Sequence, residues 1–203
     1  MIRSRNLGES LVVTIDRPDK ANSLTSAMLQ DLIDVVKAQG SASNSVILTG
    51  EGRVFSAGAD LDEAKAGLAT SPLWEELSKA IANLGCLTIA ALNGTLAGGA
   101  FGMVLACDLR IAVPTANFFY PVMRLGFLPQ PSDPDRMSAL IGPARTKMIL
   151  MAGQKIDAAL AADWGLVDRI VEPDTLLDIA QELATASNQA RTDHVAAIKH
   201  LIG

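Results

Sequence analysis

Aromatic residues make up only 4% of this 203-residue chain, with a single tyrosine, and there are just two histidines and two cysteines. His194 and His200 both lie near the C-terminus in a stretch with helical apolar spacing, so no histidine cluster is at hand for a metal. The same scarcity weakens a Ser-His-Asp or Cys-His arrangement, and G-x-S-x-G is absent. Cys86 and Cys107 form neither a disulfide framework nor a C-x-x-C pair, which fits a reducing compartment. No run of 18 apolar residues occurs, and no apolar leader follows Met1-Ile2-Arg3, so a soluble, cytoplasmic protein without membrane contact is expected. With 17 Lys+Arg against 22 Asp+Glu the net charge is −5, and no basic block could track a phosphate backbone. Nucleic acid is a poor partner. Neither GxxxxGK[ST] nor a G-x-G-x-x-G after a strand is present, so nucleotide phosphates have no evident cradle.

What the chain does have is apolar content, 49% against 19% charged, enough for one domain with a large core. The run 10–16 is β-branched and closes at Arg17-Pro18-Asp19, a strand ending in a turn. Thr25 can cap a helix whose apolar positions are Met28, Leu29, Leu32, Ile33 and Val36. Residues 45–50, 87–92 and 108–113 read as strands, the first two apolar enough to be buried on both faces. Helical stretches fall around 71–84, 99–106, 134–141, 144–151 and 173–187. The alternation predicts an α/β fold with a largely parallel sheet. The Pro-rich segment 129–134 divides a sheet-forming core, 1–130, from a helical C-terminal part, 131–203.

Two glycine-bearing segments stand out. Phe55-Ser56-Ala57-Gly58-Ala59-Asp60-Leu61 leads into a helical stretch through small residues that let a ligand approach the backbone. Asn93-Gly94-Thr95-Leu96-Ala97-Gly98-Gly99 runs from the 87–92 strand into another helix, whose first N–H groups have no intrahelical acceptor. One N–H from each could hold an oxyanion. The plainer alternative is that the glycines only permit tight turns.

Taken in order, the segments 17–24, FSAGADL at 55–61, Asn93-Gly94 with Gly98-Gly99, 107–112, Leu125-Gly126-Phe127-Leu128-Pro129 and 162–168 resemble the crotonase superfamily of enoyl-CoA hydratases and isomerases. The resemblance implies a crotonase-type spiral of β-β-α units. It also implies an acyl-CoA ligand whose thioester oxygen accepts hydrogen bonds from the N–H groups of Ala59 and Gly99. Lys20, Ala21, Ala57, Asp60 and Leu61 match positions that line CoA in the family, CoA being part of the substrate with no tightly bound cofactor. A place in fatty acid metabolism and assembly into homotrimers or hexamers are implied too, although typical members continue beyond the point where this chain ends.

The resemblance breaks at the chemistry. Hydratases of the family carry two glutamates, and the matching positions are Gly102 and Val122. Hydration needs a base for water and an acid for the α-carbon, so the ordinary hydratase route is unsupported. Asp133 and Asp135 lie in the loop that borders the acyl pocket in the family, and Tyr120 falls beside the second lost glutamate. One of them could supply the acid or base of an isomerase or other enolate chemistry. Equally, Asp133 can be a turn residue, Asp135 a first-turn helix acid and Tyr120 a packed strand aromatic. An acyl-CoA decarboxylase relying on the oxyanion hole, or a non-catalytic acyl-CoA binder, stands as the alternative. Trp74 and Trp164 read as packing residues.

Overall fold

The computed structural model describes residues 1–202. It opens with a hairpin of β1 (Ile2–Leu7) and β2 (Ser10–Ile15), paired antiparallel from Ile2↔Ile15 to Leu7↔Ser10. The sequence reading passes over β1 because it is polar; as an edge strand it carries Arg3 and Arg5 outward, which protects its unpaired side. Helix α1 (Ser26–Ala38) starts where Thr25 Oγ1 accepts from the Met28 N–H at 3.2 Å. Its five expected apolar residues are all buried.

Three β-β-α steps follow. The first is β3 (Ser45–Gly50), β4 (Val54–Ser56), then α2 (Leu61–Lys65) and α3 (Leu73–Ala82). The second is β5 (Leu87–Leu92), β6 (Thr95–Ala97) and α4 (Phe101–Leu105). The third is β7 (Leu109–Ala112), β8 (Asn117–Phe119), α5 (Val122–Leu125) and α6 (Asp133–Leu150). Each step adds one parallel strand to each of two sheets, giving the order β2-β3-β5-β7 in one and β4-β6-β8 in the other. The chain thus winds as a spiral. Strands β3 and β5 are buried almost throughout, which is why they read as unbroken apolar runs.

Later elements add one more strand to each sheet, antiparallel in the small one. Strand β9 (Ile156–Asp157) joins β8, helix α7 (Ala158–Trp164) follows, and β10 (Arg169–Ile170) pairs with β7. Helices α8 (Leu176–Gln189) and α9 (Thr192–Ile202) complete the described chain. Helix α6 is broken at Gly142, whose φ of 79° no helix accommodates, and Pro143 then opens its second half. Among the described residues, no helix is long and apolar enough to cross a membrane.

For function the important consequence lies at one end of the small sheet. Because β4 and β6 run parallel and side by side, the chain leaves both in the same direction, and the two glycine-bearing segments emerge together.

Candidate active site

The two segments meet backbone to backbone. A Cβ built on Gly58 would stand 2.9 Å from the Ala97 carbonyl oxygen and 3.4 Å from Gly98 Cα. Gly58 and Gly98 also hold φ values of 91° and 57°, so glycine is favoured at 58 by both space and conformation and at 98 by conformation. Ala59 lies between two residues tied to Leu24: the Leu24 N–H donates to the Gly58 carbonyl and the Asp60 N–H to the Leu24 carbonyl, each at 2.8 Å. The Ala59 N–H itself has no acceptor among the described residues. Gly99 sits in the 3-10 turn Gly98–Ala100 that leads into α4, where N–H groups lack intrahelical acceptors. Both residues are partly exposed. Free donors at the mouths of neighbouring parallel strands are groups from which a carbonyl oxygen gaining negative charge can accept.

Side chains that the sequence reading passed over set this backbone. Asn22 is buried with φ 53°, its carboxamide oxygen accepting from the Arg17 N–H at 2.8 Å and its amide donating to the carbonyls of Glu51 and Val54. Ser56 Oγ donates to the Asn22 carbonyl at 2.8 Å and accepts from the Gly58 N–H at 3.2 Å. Its position inside FSAGADL was the available signal. Trp74 covers Gly99: a Cβ there would lie 3.1 Å from the indole, which is pinned by its Nε1 donating to the Leu68 carbonyl at 2.8 Å.

Among the residues matched to CoA, Lys20 and Ala57 are exposed, Ala21 is partly exposed with φ 50°, and Leu61 is exposed at the start of α2. Asp60 has a local task as well. One carboxylate oxygen caps α2 by accepting from the N–H groups of Asp62 and Glu63, and the other pairs with Arg17 at 2.8 Å. The Arg17 hydrogen bond holds the Asp60 carboxyl below the usual range.

The acid–base region is arranged differently. Asp133 is the first residue of α6 and is 0% exposed. Its Oδ2 accepts from the Tyr120 hydroxyl at 2.9 Å, while its Oδ1 is the one buried side-chain oxygen without a partner among the described residues. That oxygen faces Gly102, 3.0 Å from the point a Cβ there would occupy. The missing side chain at 102 therefore leaves the space that the Asp133 carboxyl fills. Tyr120 is held by stacking on Phe101, with ring centroids 5.3 Å apart and planes 14° off parallel. Burial pushes Asp133 up to about 7, with the charge of Glu75 adding to the rise and Tyr120 and Arg136 opposing it. Burial, together with the Asp133 charge, drives the Tyr120 hydroxyl far above its ordinary value, so it acts as a donor and not as a base.

Asp133 and Tyr120 are thus brought together, while Asp135 is exposed on the first turn of α6. Val122 is buried at the start of α5. Burial pushes the Cys86 and Cys107 thiols up to about 11 and about 12, which leaves no thiolate near neutral pH. No group of three or more potential metal ligands stands together among the described residues.

The family model described as enoyl-CoA hydratase/isomerase matches residues 8–202. A short-chain-enoyl-CoA hydratase of Clostridium acetobutylicum is 36% identical over 185 residues, covering 87% of this chain and 71% of that protein. Among solved structures, an enoyl-CoA hydratase from Bacillus anthracis superposes with a TM-score of 0.92 at 30% identity, covering 99% of this chain and 81% of the other. An enoyl-CoA hydratase/isomerase from Pseudoalteromonas atlantica gives a TM-score of 0.90 at 27% identity, over 99% of this chain and 82% of that one.

Proposed function

The chain belongs to the enoyl-CoA hydratase/isomerase family, and on that premise we propose that it binds an acyl-CoA thioester with the carbonyl oxygen between the N–H groups of Ala59 and Gly99 and moves a proton along the acyl chain with Asp133. Isomerisation is preferred to hydration. With Gly102 and Val122 at the two glutamate positions, one carboxyl is present where adding water calls for two acid–base groups. In the proposed step the Asp133 carboxylate takes a proton from the carbon next to the thioester. The C–H electron pair moves onto the carbonyl oxygen through the enolate, and the same carboxyl returns the proton two carbons along as the double bond shifts.

The observation that carries this reading is the unpartnered Oδ1 facing Gly102. A buried acceptor left unpaired costs about 1–3 kcal/mol, a cost that packing alone does not account for. A carboxyl titrating near 7 is also matched to moving protons at neutral pH. Because the carboxyl is enclosed, thioester entry has to displace part of its wall. The connection from Gly126 to Pro131, with Leu128 86% exposed and the Gln130 N–H reaching the Tyr120 hydroxyl at 3.4 Å, is the irregular part of that wall.

The same enclosure favours a second reading, a decarboxylase or a non-catalytic acyl-CoA binder, since neither needs contact with Asp133. Turnover of crotonyl-, 3-enoyl- and malonyl-type CoA esters, set beside calorimetric binding, separates them. Turnover of the 3-enoyl ester alone supports isomerisation. Loss of CO2 from the malonyl type, or binding without turnover, moves the function to the second reading. Assembly as homotrimers or hexamers belongs to the proposal, supported by the exposed apolar residues Met123, Leu125 and Leu128, and light scattering tests it. A cytoplasmic location rests on two free, buried cysteines.

A further inference from the structure

Helix α3 lies against all three parts of the site. Trp74 covers Gly99, Ser78 Oγ donates to the Gly102 carbonyl at 3.0 Å, and Glu75 reaches the residue before Asp133. Ser132 occupies the N-cap of α6, but its hydroxyl does not cap its own helix. Both of its donors turn to Glu75 instead: Oε2 accepts from the Ser132 N–H at 3.2 Å and from its Oγ at 2.9 Å. One turn further along α6, Arg136 donates to Ser78 Oγ. Helix α3 therefore grips α6 on both sides of Asp133 and grips α4 at the glycine opposite it.

We propose that Glu75 is a positioning residue for Asp133: by taking both donors of Ser132 it sets the first turn of α6, so that the Asp133 carboxyl enters the space beside Gly102. A carboxylate is suited to this. It accepts two hydrogen bonds at one oxygen, leaving Oε1 to Lys79 at 3.4 Å, and its charge favours the N-terminal end of α6. Burial works to raise Glu75, but the Ser132 donors and Lys79 outweigh it and keep the group ionised. Its negative charge then disfavours ionisation of Asp133. The charged or titratable groups facing that carboxyl are Tyr120 from the segment after β8, Arg136 from its own helix and Glu75 from α3; α4 carries no titratable residue.

The inference rests on the proposed chemistry of Asp133, and its test separates the two. Glu75→Gln keeps the acceptor and removes the charge, whereas Glu75→Ala removes both. Turnover of a 3-enoyl-CoA would be followed against pH. In parallel, the Asp133 carboxyl would be titrated by 13C NMR in aspartate-labelled protein, its signal assigned by its loss in Asp133→Asn. Glu75→Gln should keep kcat within about threefold while the Asp133 midpoint moves to lower pH. Glu75→Ala should lose about tenfold or more in kcat with KM nearly unchanged, since a displaced catalytic group costs rate more than binding. If Glu75→Ala does not fold, Ser132→Ala, which removes one of the two bonds, takes its place with a smaller loss of kcat. Equal losses in Gln and Ala variants, or an unmoved midpoint in Glu75→Gln, overturn the role of Glu75. Should no 3-enoyl ester turn over in the parent protein, the proposed chemistry fails by itself, and the carboxyl titration still decides whether Glu75 governs Asp133.

Discussion

The loops proposed to hold the oxyanion and the region proposed for acid–base chemistry sit on the same spiral yet are built on opposite terms. At Ala59 and Gly99 the groups on offer are backbone N–H donors, placed by two parallel strands and by glycines whose φ or contacts admit nothing larger. Across from them the groups on offer are side chains. There Gly102, matched by resemblance to a family glutamate, leaves a space that a carboxyl from α6 fills. Backbone machinery is fixed by the sheet and stays where the fold puts it. Side-chain machinery can move to any element whose Cα lies within reach, so the same fold can host different proton chemistry.

Breaking the backbone half should have the largest effect. Gly99→Pro removes the N–H, and calorimetry should find no acyl-CoA binding up to millimolar ligand. Unchanged affinity in a folded variant would place the second donor elsewhere. On the other side, Asp133→Asn should keep CoA-ester binding and lose on the order of 10²–10⁴ in kcat for a 3-enoyl ester, the usual worth of a general acid or base. Equal loss of binding in that variant would erase the distinction between the two halves.

A third variant sharpens the comparison by testing whether Gly102 and Asp133 share one space. Gly102→Glu alone places a Cβ 3.0 Å from Asp133 Oδ1 and should destabilise the fold by about 1–3 kcal/mol, read in denaturant unfolding. Adding Asp133→Gly should recover much of that loss. Additive destabilisation in the double variant would show that the two positions do not compete. On the proposed reading, hydratase chemistry needs Asp133 removed as well as glutamates at 102 and 122.

The smallest effect is in the pH dependence of stability, where the two regions should differ in sign. Asp133 is raised in the folded protein from 3.8 to about 7, so the native state holds the proton longer than the unfolded chain. The stability this neutral carboxyl contributes is present at acid pH and falls as pH rises from about 4 through about 7. Asp60 is lowered by Arg17, so its contribution is present above the unfolded value near 4 and fades on further acidification. Thermal unfolding across pH should show Asp133→Asn flattening the first slope and Asp60→Asn the second. A shared sign would mean that the two carboxyls occupy similar surroundings.

The loops, the helix cap at Thr25 and the central strands were legible in the sequence because each is written locally. A strand buried on both faces is an apolar run, and a turn into a helix that a ligand must approach is a cluster of small residues. Strand β1 escaped notice because an exposed edge strand has no apolar face to reveal it. Asn22 and Ser56 stood within quoted motifs, but nothing in their spacing says that they bond each other across two segments.

By itself, then, the sequence pointed to the spiral α/β architecture, which the fold bears out, and to the proposed pair of backbone donors and the proposed loss of both hydratase glutamates. Only the tertiary structure decided what lies beside those positions. Read along the chain, Ser132-Asp133-Pro134 has the composition of a turn, and Glu75 is one more acid on a helix. Folding places α3 against α4 and α6, buries Asp133 opposite a glycine from another element and gives Ser132 to Glu75. A carboxyl's protonation depends on desolvation and on charges that arrive from distant parts of the chain, and neither is encoded in its neighbours in sequence.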